Sequence, residues 1–198
     1  TLGAYPAQNQ ATRAAVAAYT SMLAPTSPSR HEFDVEQARA SSTDLRIAQR
    51  VARLRRVSAE VEDRLGRISV PPRDRVTLGA RNATFPLPIR SGLDEPVTVV
   101  VELQASPRLT FPNDRLVVTL DDERTVVQVP VRVGAAGDTP LLIRVRTPDG
   151  RLIAESRYTV RATVVSGVGL LLTVGAAGFL ALWWGRHWRR SRRARRRM

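Results

Sequence analysis

Short runs of alternating residues between about 67 and 161 constrain the fold of this chain more than any other feature. Seven such runs are rich in Val, Thr, Ile and Leu and are separated by turn sequences such as GLDEP, DDE and TPDGR. Period-two alternation is typical of strands that bury one face. About seven strands in about 95 residues, broken at short intervals, predict an immunoglobulin-like β-sandwich.

Two details support this prediction. Val127, Val129, Val131 and Val133 fall on one side of a single run, whereas Gln128 and Arg132 fall on the other side, as expected of a half-buried strand. The Asp-Gly pair within 147–151 is the strongest short signal for a tight hairpin.

Residues 1–66 are predicted to be helical. An Ala-rich stretch at 7–23 places Val16, Tyr19 and Leu23 on one face and is followed by prolines that end a helix. A second helix is expected from about 43 to 65, with a narrow apolar seam at spacings of four and three residues, formed by Ile47, Val51, Leu54, Ser58, Val61 and Leu65. We expect this seam to pack within the chain.

Residues 162–184 contain no charged residue. At about 1.5 Å per residue, such a helix reaches about 34 Å, which is enough to cross a hydrocarbon core about 30 Å thick. The sequence therefore predicts a membrane-anchored α+β protein with N-terminal helices, the sandwich at 67–161, one transmembrane helix at 162–184 and a basic tail at 185–198.

The flanks of this run indicate an orientation. Aromatic and basic residues border its C-terminal end, where they favour a cytoplasmic interface with anionic lipid. The predicted interface residues are Trp183, Trp184, Arg186, Trp188, Arg189 and Arg190. We therefore expect a single-pass plasma-membrane protein with an extracytoplasmic N-terminal part. Small residues four apart predict a ridge for packing against a second membrane helix, formed by Gly169, Thr173, Ala177 and Ala181.

Composition narrows the possible functions. The chain has no cysteine and two histidines, His31 and His187, which the predicted topology separates. We expect no metal, no cofactor and no catalytic site. The formal net charge is +13, and eight arginines beyond residue 185 supply +8 of it. Because the excess is mainly local and lacks interleaved stacking groups, nucleic-acid binding is not expected.

Four segments resemble the C-terminal region of a family of uncharacterised actinobacterial single-pass cell-envelope proteins: 67–72, 85–103, 126–151 and 164–190. The likeness covers about 45–198. It implies a non-catalytic spacer or docking module near the membrane, because genes of that family commonly lie beside the flippase for the lipid-linked peptidoglycan precursor. The implied partner is an integral membrane protein of wall synthesis. The open alternative is the accessory and anchor region of a wall-active or carbohydrate-active enzyme whose catalytic body lies upstream.

Overall fold

A computed structural model describes residues 4–40, 46–73, 75–163, 175–181 and 183–184. Three helices precede the strands: α1 (Ala4–Met22), α2 (Pro28–Ala40) and α3 (Ile47–Gly66). The strands are β1 (Ile68–Ser69), β2 (Arg75–Leu78), β3 (Asn82–Ser91), β4 (Val97–Ala105), β5 (Leu109–Thr110), β6 (Arg115–Leu120), β7 (Arg124–Val133), β8 (Gly137–Arg146) and β9 (Leu152–Ala162).

The strands form two sheets. One has four strands in the order β1-β3-β7-β5, and the other has five in the order β2-β9-β8-β4-β6. All pairs are antiparallel except β2 with β9. Side chains from the inner faces of both sheets form the core, among them Phe85, Leu87, Val99, Val129 and Ile143. The predicted immunoglobulin-like sandwich is confirmed, and its seven sequence runs correspond to the seven longer strands.

The alternation predicted along β7 is also confirmed. Val129, Val131 and Val133 are buried, Val127 is partly buried against the core, and Gln128 and Arg132 are exposed. The predicted Asp-Gly turn joins β8 to β9. Gly150 has φ +102° there, a conformation that residues with a Cβ rarely adopt. The turn closes through a 2.9 Å bond from the Thr147 N–H to the Arg151 carbonyl.

The helical prediction needs two changes. No helix was predicted between residues 23 and 43, but residues 28–40, which include His31, form α2. In α3 the buried positions are Leu54, Val57, Val61 and Leu65, whereas Ile47 is 44% exposed. The seam thus shifts to Val57 at its centre, because a helix of 3.6 residues per turn drifts from a strict heptad spacing. Val16, Tyr19 and Leu23 are all buried, as predicted.

The predicted transmembrane helix at 162–184 is contradicted. Within the described ranges, no helix is both long and apolar enough to cross a membrane. The segment does not even begin as a helix, because Ala162 ends β9, is 2% exposed and pairs with Gly137 and Leu78. The physical reason is that buried and more exposed residues alternate along β9. This alternation buries Tyr158 and Val160 and continues to Ala162, the first residue of the charge-free run.

The single-pass plasma-membrane location rested on that helix and is corrected with it. Part of the predicted segment is helical, at 175–181 and 183–184. Residues 164–174, 182 and 185–198 lie outside the described residues, so the whole predicted basic tail lies outside them.

Candidate docking surface

Few of the residues that the sequence singled out are described. Ala177 and Ala181 from the predicted small ridge are exposed, and so are Trp183 and Trp184 from the predicted interface set. Six others lie outside the described residues: Gly169, Thr173, Arg186, Trp188, Arg189 and Arg190. Their proposed roles in helix packing and lipid binding are therefore not tested.

The helices and the sandwich share one hydrophobic core. A single cluster of buried side chains runs from Tyr19 and Met22 in α1, through Val61 and Leu65 in α3, to Val97 in β4. The chain also forms an isolated antiparallel bridge between Leu23, directly after α1, and Val97. Continuous burial of this kind makes independent motion of the helices costly, because the contact surface would have to be exposed to water.

The acidic loop between β3 and β4 strengthens this junction. Glu95 accepts a 3.4 Å hydrogen bond from the Tyr19 hydroxyl on one carboxylate oxygen and a hydrogen bond from the Ser27 hydroxyl on the other. Burial raises the pKa of Tyr19 above its usual value, and the nearby Arg64 opposes this shift. Charge-assisted bonds to a carboxylate are stronger than neutral ones, so Glu95 holds α1 and the start of α2 against the sandwich.

Arg64 connects the three helices. Its guanidinium lies 4.7 Å from the ring centre of Phe33 in α2 and 5.8 Å from that of Tyr19 in α1. The two rings contact each other edge to face at 5.3 Å. Arg64 also donates to Glu60 at 2.7 Å and to Ser29 at 3.2 Å. This arrangement stabilises the helix–helix contacts through cation–π and hydrogen-bond interactions.

A cavity of about 390 Å³ opens at the junction between the helices and the β3–β4 loop. Its lining combines Arg64 and Arg67 with Glu60, Asp94 and Glu95. Among the described residues, no group of three His, Asp or Glu side chains is arranged to hold a metal ion. Several polar lining groups already bond to one another, so the cavity is better explained as part of the junction than as a ligand site.

The outer face of the five-stranded sheet carries an apolar row across four strands. The register aligns Leu152, Arg146, Val100 and Val117 from β9 to β6. Val117 is 74% exposed and Leu152 is 45% exposed, whereas Val100 between them is buried at 4%. The two ends of the row therefore leave apolar area uncovered, and the row also contains an arginine, a residue type that is enriched in protein–protein interfaces.

A charged row lies next to the apolar row. Its register aligns Glu155, Arg144, Glu102 and Arg115. Glu102 accepts a 2.7 Å bond from Arg146, and Glu155 accepts a 3.0 Å bond from Arg144. These pairs fix the positions of three side chains of the charged row and of Arg146 in the apolar row. The outer face is the side of the five-stranded sheet that carries these two rows, opposite the side that packs in the core.

Sequence reasoning did not find these features. Glu95, Arg64 and the outer face involve residues far apart in the chain, and only the strand order brings Leu152 and Val117 into one row. The single available signal was the alternation within each run, which assigned side chains to faces without assigning neighbours between strands.

The architecture defines the class of protein: an immunoglobulin-like β-sandwich with three helices packed on one end, presenting an outer sheet face of apolar and charged rows. The chain belongs to a family of unknown function, DUF6049, whose profile matches residues 6–196. None of the curated proteins matches the chain.

Several solved structures are similar to about half of the chain. Native α-2-macroglobulin from Escherichia coli is 20% identical over 48% of this chain and 6% of its own, with a TM-score of 0.38. An MSP family member from Caenorhabditis elegans is 12% identical over 44% of this chain and 91% of its own, with a TM-score of 0.33. A CARDB domain from Pyrococcus furiosus is 13% identical over 48% of this chain and 91% of its own, with a TM-score of 0.34.

Proposed function

We propose that this chain is a non-catalytic docking module that binds a partner protein through the outer face of its five-stranded sheet. The observation that carries the proposal is the pair of adjacent rows on that face. The apolar row offers area that a partner can cover, and the charged row offers arginines and carboxylates already held in position. Preorganised side chains lose little entropy on binding, which favours association.

The shared core supports a positional role. Because Tyr19, Leu23 and Glu95 join the helices to the sandwich, whatever is bound on the outer face is held in a fixed orientation relative to the helices. A module of this kind needs no reacting groups. Its contribution is to place two proteins, or two parts of one protein, at a set distance and angle.

The resemblance to envelope proteins suggests the class of partner. We propose a membrane protein of cell-wall synthesis, and this part of the proposal follows from that resemblance alone. The outer face sets the chemistry that the partner must offer. The surface of the partner needs apolar side chains to cover Val117 and Leu152, and charges of both signs to pair with the charged row.

Site-specific photo-crosslinking in the native host tests the docking proposal. A benzophenone amino acid would replace Thr119 or Arg157, which are exposed on the outer face, or Thr84 or Gln128, which are exposed on the opposite, four-stranded sheet. We expect both outer-face positions to give an adduct with one and the same protein, and neither control position to do so. Equal adducts from both sheets, or no adduct from the outer face, would reject this function.

A further inference from the structure

Among the strands that the structure describes, β6 lies at an edge of the five-stranded sheet and pairs only with β4. The Leu103 N–H donates to the Asp114 carbonyl at 2.8 Å, which makes this pair a hydrogen-bonded one. Such pairs alternate along an antiparallel ladder. The N–H and C=O groups of Arg115, Val117 and Thr119 therefore point away from β4. They form a row of three donors and three acceptors along the edge.

This edge lacks the devices that usually block strand pairing. Proteins protect edges with proline, inward-pointing charges, bulges or very short strands. β6 has six residues and no proline, and its register with β4 is unbroken from Arg115 to Leu120. The inward positions Leu116, Val118 and Leu120 are apolar. Among the described strands at sheet edges, β1 and β5 have two residues each and β2 has four, so β6 is the longest.

The two ends of β6 differ in charge. Asp121, Asp122 and Glu123 follow its last residue directly and are exposed. In the part of the chain that the structure describes, none of these carboxylates forms an ion pair. Arg115 stands at the opposite end of the strand, and it also has no ion pair there. A segment lying along β6 would therefore meet negative charge at one end and positive charge at the other.

From these three observations we infer that β6 binds an extended segment of the partner protein by antiparallel strand addition. Main-chain bonds to Arg115, Val117 and Thr119 supply the affinity, as in other β-augmentation complexes. In the antiparallel orientation the N-terminal end of the segment lies beside Asp121–Glu123. The segment therefore has basic residues at its N-terminal end, alternating β-branched residues in its centre and an acidic residue opposite Arg115. This inference deepens the proposed docking function and depends on it.

Substitutions at Val117 separate main-chain pairing from side-chain contact. V117P removes an N–H that points to the free edge, so it leaves the β4–β6 ladder bonds in place. V117T keeps that N–H and removes only apolar surface. The probe is a synthetic peptide of two arginines, six alternating valines and threonines, and a final glutamate. A control peptide has two glutamates at the start and an arginine at the end. Binding to the full chain is followed by fluorescence anisotropy, and amide hydrogen exchange is measured for each residue.

We expect the first peptide to bind at least about tenfold more tightly than the charge-swapped control, and to slow exchange at Arg115, Val117 and Thr119. V117P should bind the peptide at least about tenfold more weakly than V117T, because both remove the apolar valine surface and only V117P removes the N–H. Circular dichroism would verify that both variants are folded. Absence of protection at the three amides, or equal affinity for V117P and the unmodified chain, would overturn the inference. If V117P then kept its outer-face crosslinks in the host, docking would occur without strand addition. If the unmodified chain gave no outer-face crosslinks, the proposed docking function itself would be wrong.

Discussion

Replacing Tyr19 by alanine tests the junction between the helices and the sandwich. The Tyr19 side chain is 1% exposed and contacts Phe33, Arg64 and Glu95. Truncating a buried aromatic side chain to alanine costs about 3–5 kcal/mol through lost transfer energy and the cavity left behind. For a chain of this size, such a loss lowers Tm by about 6–20 °C.

Y19F is the matched control. It keeps the ring and removes one hydroxyl whose bond to Glu95 is long, at 3.4 Å. Since Ser27 still bonds the other oxygen of Glu95, we expect Y19F to cost about 0.5–1.5 kcal/mol. Urea unfolding, followed by circular dichroism, gives both values. The reasoning would be refuted if Y19A cost no more than Y19F, because Tyr19 would then not fill space at a shared core.

Three further outcomes follow from the same contacts. Burial raises the pKa values of Tyr19 and Tyr158 above that of an unfolded tyrosine, so the fold favours their neutral forms. The associated stability should be intact below about pH 10 and lost as the pH rises above it, and Y19F should flatten this decline in urea midpoints measured between pH 8 and 11. E102Q breaks a partly exposed ion pair with Arg146 and should lower the free energy of unfolding by only about 0.2–1 kcal/mol, so a loss of several kcal/mol would contradict the view of the charged row as a surface feature. G150A places a Cβ at φ +102° and should cost about 1–2 kcal/mol in urea unfolding, whereas the control G79A should cost much less, because φ is not positive there and an added Cβ meets no atom within 4 Å.

The sandwich could be predicted from the sequence because each strand carries its own signal. Alternation over six to ten residues shows which side chains face inward, as along β7. The turn at Gly150 likewise depends on adjacent residues only. These features are local, so a single chain without structural information is enough to find them.

The helix α2 and the C-terminal segment show where local signals fail. α2 has no apolar stripe: Phe33 is the only fully buried residue described in it. Its helical state depends on packing against Tyr19 and Arg64. In the C-terminal segment, a lack of charged residues is expected both of a membrane-spanning helix and of the end of a buried strand. Ala162 pairs with β2 and with β8, so this residue belongs to a strand.

The site could not be predicted for a similar reason. The outer face combines residues from β9, β8, β4 and β6, in an order that differs from their order in the chain. Leu152 and Val117 are 35 positions apart in the sequence. Their alignment depends on strand order and register, which alternation within single strands does not specify.

Native-state hydrogen exchange tests most directly whether the helices and the sandwich form one body that orients the outer face. Exchange of the slowest amides in α3 and in β4 would be followed at increasing, sub-denaturing urea concentrations. If the two parts share one core, their opening free energies should converge on the value for global unfolding with the same urea dependence. A lower opening free energy for α3, with exchange in β4 unaffected, would show that the helices open separately and would contradict a module of fixed orientation.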